Sequence, residues 1–437
     1  MVVQPVNYLR FGRLAPLAFL VLIFGSCDSF IFAGNSHSSA DRWTLGLYGP
    51  DAMPPADRLL RSRDPARPRS AARAESSPAM AGSRILVLDA AGLWEISTEP
   101  GAHAPRPSSP VSPELTVLLE PQTAEGAQGA PAAPGPVNHA DPALLRAFAT
   151  ELGLRAGGGP IALQITGSGS GYRQDREGSS ALPINAVQGR SIIRSGSGEG
   201  LQVQTVAAAL NGSGLNLLVL DAPRTAAIEV VLELSTSAQT ILAAPDDPGA
   251  EAWDVRVLAA ALETGLPPQD AELGAASPAP VSIATERIEA VHLAFDALCE
   301  DAVSELAGQA PDQVAFVRDT LFAGAVPDAW TTPGDLSLDL WGLVAYLGEA
   351  LPSLQTAVLA VQQALDACVL GSVRATAGEM LLGVHFVPLS GLGAPLRHRD
   401  EYFADSVDPI PGRFVRESRW APRLGGADRG LLDVLWY

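Results

Sequence analysis

Hydrophobic and polar positions along this chain fall into two regimes. Between residues 141 and 265, short runs that are apolar throughout alternate with stretches of helical, 3.6-residue periodicity. Asp141-Pro142 supplies an N-cap with proline at the first helical position, and Leu144, Leu145, Phe148 and Leu152 follow on one face. Gly157 to Gly159 end that helix. Pro160 to Ile165, Leu215 to Asp221 and Thr240 to Ala243 read as strands, and Val203 to Leu210, Thr225 to Leu234 and Trp253 to Leu262 as helices. Upstream, Trp43 to Tyr48 and Ile85 to Asp89 are strands, with Leu115 to Leu119 a third candidate. Fully apolar strands interleaved with amphipathic helices predict a mostly parallel sheet covered on both faces. In such sheets chemistry sits outside the carboxyl ends of the strands, which directs attention to the loops after Ile165 and Leu220.

From about Thr285 the pattern becomes helical. Ile288 to Leu306, Gln313 to Phe322, Leu338 to Leu351 and Leu354 to Cys368 are predicted helices, and Gly383 to Pro388 returns a strand to the sheet or to a subdomain. Residues 42–265 therefore form an α/β domain and residues 280–437 a helical region. At the other end, Arg10 and Arg13 precede an apolar run from Leu14 to Phe24, shorter than the roughly 20 residues a membrane helix needs. With the small residues Gly25-Ser26 behind it, this reads as a secretory signal over residues 1–27. Cys27 follows directly, as in a bacterial lipobox, although Phe24 stands where Leu, Val or Ile is usual. Three readings stay open: a cell-envelope lipoprotein anchored through Cys27, plain release into the periplasm or medium, or a leader that is not cleaved. Residues 28–41 are a Ser-rich tether, and the six arginines from Arg58 to Arg73 read as a solvated loop.

Composition narrows the classes. The 437 residues are 47% hydrophobic, enough for a large core, which excludes a disordered chain. All 29 cations are arginine, so lysine Schiff bases and Walker-type phosphate sites are excluded. The net charge of −19 argues against nucleic acid as a partner and leaves a lipid as the sole route to a membrane. The cysteines are Cys27, Cys299 and Cys368; the last two lie on predicted helices and are either buried thiols or a disulfide. No Cys-x-x-Cys pair or His/Cys cluster points to a metal, and no cofactor is expected. Gly167 to Gly171, with glycine at alternate positions, lacks the spacing of a dinucleotide or phosphate loop and reads as a flexible loop.

Motifs in chain order resemble the clostripain family of cysteine peptidases, within the caspase-like group. Trp43-Thr44 with Tyr48 resembles its opening Trp-Thr-x-x-x-Tyr. Val137-Asn138, Asp141-Pro142-Ala143-Leu144 and Phe148 resemble its Val-Asn-Met-Gly-Asp-Pro-x-x-Leu-x-x-Phe. Ser168-Gly169-Ser170-Gly171-Tyr172 stands where the family has His-Gly-Ser-Gly-Trp, and Leu220-Asp221-Ala222-Pro223 where it has Phe-Asp-Ala-Cys. Ala227 to Leu234, Pro248-Gly249 with Trp253-Asp254, and Gly383 to Pro388 continue the series. The resemblance spans Trp43 to Pro388 and implies a caspase-like fold.

It also implies a loss. The family's catalytic histidine falls on Ser168 and its catalytic cysteine on Pro223. Serine cannot take up a proton near neutral pH, and proline has neither a nucleophilic atom nor a backbone N–H. The expectation is a pseudopeptidase of the cell envelope that binds a peptide or protein partner with basic side chains. In the family an aspartate at the place of Asp221, with an acid downstream, belongs to the pocket for basic side chains; Glu251 is the nearby acid here. Asp221 has a second reading, as the cap of the following helix. Two other functions stay open, a hydrolase using different residues and a purely structural envelope protein.

Overall fold

The computed structural model describes residues 43–50, 83–90, 92–97, 106–119, 137–167, 191–194, 200–222, 225–244, 253, 255–266, 268, 280–324, 336–370, 383–386, 431 and 434. In chain order the first elements are β1 (Thr44–Tyr48), β2 (Arg84–Asp89), β3 (Gly92–Ser97) and β4 (Arg106–Pro107). Next come α1 (Pro113–Leu119), α2 (Pro142–Ala156), β5 (Ile161–Thr166), and the hairpin strands β6 (Ser191–Arg194) and β7 (Gly200–Gln202). They are followed by α3 (Val203–Leu210), β8 (Leu215–Asp221), α4 (Ile228–Glu233), β9 (Ala238–Ala243) and α5 (Val255–Thr264). The last part holds β10 (Val281–Ala284), α6 (Thr285–Leu306), α7 (Pro311–Gly324), β11 (Leu336–Asp339) and α8 (Leu340–Ala350). It closes with α9 (Gln355–Cys368), β12 (Val369–Leu370) and β13 (Gly383–Phe386).

A nine-stranded sheet runs in the order β12-β10-β9-β8-β5-β1-β2-β3-β4. Its five central strands, β9, β8, β5, β1 and β2, are parallel, and the flanking strands on each side are antiparallel. This is the mostly parallel, helix-flanked sheet expected from the sequence, with a helical carboxy-terminal region behind it. Alternation along the strands divides the core in two. Tyr48, Leu163, Ile165, Leu218, Leu220 and Ile241 face one side, where they join buried residues of α2, α3, α4, α6, α8 and α9. Leu45, Leu47, Ala162, Leu217, Val219 and Leu242 face the other, against Trp253 and α5. Both faces are covered, which is why the strands carry continuous apolar runs. Gly46 lets α2 lie close on β1, because a Cβ there would run into Leu152 and Phe148.

The start of α2 is as the sequence predicts. Asp141 caps it, accepting from the Ala143 N–H at 2.8 Å, and Gly157 closes it in the left-handed region at φ 58°. Several expectations need correction. Leu115 to Leu119 is not a strand but part of α1. Pro113 sits at its start, Thr116 N–H reaches Ser112 O at 3.1 Å, and Leu115 N–H reaches Ser112 Oγ at 3.3 Å. A five-residue apolar run has no periodicity of its own, and the serine-proline start decides for helix. The helix expected from Thr225 starts at Ile228, because Thr225 and Ala226 are held to β9 instead. The first residues of the helix expected from Leu338 belong to β11, which pairs antiparallel with β13. The returning strand thus joins a separate two-stranded sheet, and it is β12 that reaches the main sheet, beside β10. No single helix among the described residues is long and apolar enough to cross a membrane.

One buried ionic contact ties the β3–β4 edge and α1 to α2. Glu151, fully buried, accepts from Val111 N–H at 2.9 Å and Ser112 N–H at 2.7 Å, and pairs with Arg155 Nε at 2.8 Å. Arg155 in turn donates to Ser109 O at 2.7 Å and meets Glu95 at 3.5 Å. Removing the carboxylate strands two amides and the arginine's shortest carboxylate contact, at Nε, in a largely dry site. Glu151→Ala is expected to cost about 3 kcal/mol, with Glu151→Gln milder, as read from chemical denaturation midpoints.

Candidate functional site

The carboxyl ends of β1, β5, β8 and β9 lie side by side, and the order reverses at β1, which neighbours both β2 and β5. Crevices in open α/β sheets form at such reversals. Here the backbone comes together tightly. A Cβ on Gly49, at φ 154°, would run into Thr166 O, and one on Gly167 would run into Ile192 O of the β6–β7 hairpin. Gly167 N–H also extends the β5–β8 ladder by donating to Asp221 O at 3.2 Å.

Asp221, the last residue of β8, is paired in register with Thr166 of β5, and its side chain is 2% exposed. Its Oδ2 accepts from Trp253 N–H at 2.9 Å and from Gln164 Nε2 at 3.1 Å. Gln164 Nε2 also donates to Trp253 O at 3.1 Å. One carboxamide and one carboxylate on adjacent strands therefore grip both main-chain groups of Trp253, whose indole is buried in the smaller core. Asp221 Oδ1, Gln164 Oε1 and Thr166 Oγ1 are buried without hydrogen-bond partners. Burial pushes the Asp221 carboxyl up to about 6, while the bonds from Trp253 N–H and Gln164 pull it back.

The alternative reading of Asp221 as a helix cap is corrected by this geometry. The N-cap of α4 is Ala227, which has no side-chain cap bond, and the Asp221 carboxylate points to the other face, toward Trp253. Thr225 does the local fastening. Its hydroxyl lies 3.0 Å from both Leu220 O and Ala222 O as donor and accepts from Ala244 N–H at 3.1 Å. Ala226 N–H adds a bond to Ala244 O at 2.9 Å. The chain leaving β8 is thus fastened to the end of β9.

Ser168, Pro223, Glu251 and Cys27 lie outside the described residues, as do the leader, the tether and the Arg58 to Arg73 run. The two described cysteines are both buried. Cys299 and Cys368 are thiols that form no disulfide, so of the two readings the buried thiols hold. They sit on α6 and α9. Cys368 Sγ lies 3.7 Å from Ala284 O, and burial pushes its thiol up to about 12. His139 is buried beside Leu88 O and Val137 O, and His292 contacts Glu289 on α6. Among the described residues no group of three metal-ligating side chains converges. Gln164 and Thr225 were missed from sequence. Gln164 carried a signal, being a polar residue at an inward position of an otherwise apolar strand; Thr225 carried none.

No family model matches the chain, and no curated protein matches it. Among solved structures it is similar to an inactive zymogen C11 protease from Parabacteroides distasonis. The identity is 13%, over 87% of this chain and 97% of that one, with a TM-score of 0.48. A secreted C11 cysteine protease from Bacteroides thetaiotaomicron, iotapain, is similar at 10% identity, over 75% and 85% of the two chains, with a TM-score of 0.47. A secreted C11 cysteine protease from the same organism, in complex with an irreversible peptide inhibitor, is similar at 12% identity, over 84% and 97%, with a TM-score of 0.45.

The position of Asp221 sets a pH dependence. Its folded value of about 6 lies above the ordinary 3.8, so the native state holds this proton more tightly than the unfolded chain. Stability from this group is full below about pH 4 and is lost as pH rises through 6, by about 3 kcal/mol. Asp221→Asn keeps the acceptor for Trp253 and supplies a fixed donor in place of the acid proton. It is expected to flatten this decline and raise the melting temperature above pH 7, whereas Asp221→Ala lowers it at every pH.

Proposed function

We propose that this chain is an exported, catalytically silent protein of the clostripain-like kind, acting through a peptide or protein partner rather than by cleaving one. The observation that carries the reading is the whereabouts of its cysteines. The sequence contains three, and two of them are buried in the helical layer, with the Cys368 thiol held far above the range of a useful nucleophile. The third, Cys27, follows the leader and serves in this proposal as the lipid attachment point. At the two positions where the resemblance puts an imidazole and a thiol, the chain has Ser168 and Pro223. Ser168 cannot take up a proton near neutral pH as the family's imidazole would, and Pro223 has no nucleophilic side-chain atom.

The proposed partner carries basic side chains, which suits a chain of net charge −19. In this reading Glu251 is one acidic contact for it. Asp221 is already engaged by Trp253 and Gln164, so a basic side chain meets its carboxylate only when the Trp253 main chain withdraws.

Purified protein lacking the leader should leave fluorogenic Arg and Lys peptides uncut at the rate of buffer alone. Any protein-dependent cleavage would overturn the silent reading, and the double variant Cys299→Ala/Cys368→Ala would then say whether one of these thiols or a different nucleophile performs it. Replacing Ser168→His together with Pro223→Cys should restore measurable thiol-dependent turnover. Fluorescence anisotropy with uncleavable Arg peptides should give saturable binding that weakens on Glu251→Gln; no binding at any concentration favours a purely structural role.

A further inference from the structure

His139 is 1% exposed, on the short segment that leads into α2, and its imidazole has an unusual setting. Nδ1 lies 3.2 Å from Val137 O and Nε2 lies 3.1 Å from Leu88 O. A carbonyl oxygen only accepts. A neutral imidazole has one N–H and one lone pair, so it satisfies one of these carbonyls and turns its lone pair on the other. The imidazolium, with two N–H groups, satisfies both, each as a charge-assisted bond.

The same segment closes the carboxyl ends of β1 and β2. Tyr48 Oη donates to His139 O at 3.1 Å, Val137 N–H reaches Ala90 O at 3.4 Å, and Gly49 N–H reaches Leu88 O at 3.3 Å. Leu88 O is thus shared by the imidazole and by the residue that leaves β1 at the reversal of the sheet. We infer that His139 is held as an imidazolium that fastens the 137–141 segment across the ends of β1 and β2, so that raising the pH loosens this rim of the crevice.

The charged and titratable groups around it fit that assignment. From β1 the Tyr48 ring meets the imidazole edge-on at 5.1 Å; burial and the nearby Asp141 carboxylate push its phenol up, so it stays neutral. Asp141, at the cap of α2, is the anion on this side, and its field favours a cation two residues away. Asp89 of β2 is occupied by Trp94 Nε1 at 3.0 Å. From α2 the neighbouring buried side chains are apolar, Leu144, Leu145 and Phe148, and they oppose the charge through desolvation. Two charge-assisted bonds and one carboxylate stand against that burial.

The sign follows from the bonds. They raise the folded-state proton affinity above the ordinary histidine value of about 6.5, so the fastening is complete below that pH and is lost as pH rises through the folded value. The test uses the whole protein labelled with 15N-histidine. At pH 6 the His139 ring is expected to show two protonated nitrogens, with His139→Gln assigning the signal. Amide exchange at Tyr48, Gly49 and Asp141, corrected for the intrinsic base-catalysed rise, should speed up by as much as about tenfold per unit pH between the ordinary histidine value and the folded titration point, and level off beyond it. His139→Gln should remove that pH dependence. One bare ring nitrogen throughout pH 5.5–8 overturns the inference, and so does exchange whose corrected rate is flat with pH. If the variant fails to fold, exchange on the unaltered protein still decides.

Discussion

A β-strand covered on both faces has nowhere to place a polar side chain except at its ends, and this constraint organises the whole molecule. The five parallel strands are apolar on alternate sides because helices lie over both. Polar groups are therefore driven toward the carboxyl ends, where chain segments cross from one layer to the next. Gln164 is the exception inside β5. It is tolerated because its amide bonds two groups at once, the Asp221 carboxylate and the Trp253 carbonyl. The glutamine, the aspartate and the Trp253 main chain make one unit that joins two strands to the start of α5. Its leftover oxygens give that unit a preference for a protonated carboxyl.

The rim around this unit is built from backbone approaches as much as from side chains. Gly49 and Gly167 bring strand ends against a neighbouring strand and the β6–β7 hairpin, and Thr225 bonds the exit of β8 to β9. On the far side of the reversal, His139 and Tyr48 do the same for β1 and β2. The described part of this rim is thus closed by internal hydrogen bonds, and a ligand arriving there exchanges contacts with the chain itself rather than filling an open bowl.

The helical region behind the sheet completes the larger core and holds both described cysteines. Buried thiols on packed helices behave as small hydrophobes. Cys368 faces a carbonyl of β10, and Cys299 is packed among apolar side chains of α6. The same dry packing that stabilises the layer keeps the Cys368 thiol protonated.

Much of this was legible along the chain. Strand runs such as Leu215 to Asp221 are long and uniformly apolar, and the Asp141-Pro142 cap with its helical face is written in local residue types, so these elements follow from local physics. Leu115 to Leu119 was not legible, since a short apolar run fits either element until its amide partners are known. β10 and β12 were not seen either, because strands of two to four residues gain stability from the strands they join and not from their own sequence. The sequence by itself determined the covered parallel sheet, the absence of lysine, and the residues standing at positions 168 and 223. Only the tertiary structure decided that Asp221 turns inward to Trp253 instead of capping α4, that Gln164 is its partner, and that His139 meets two carbonyls. Each of these pairings spans dozens of residues, and no local pattern encodes which distant backbone group a buried polar atom will find.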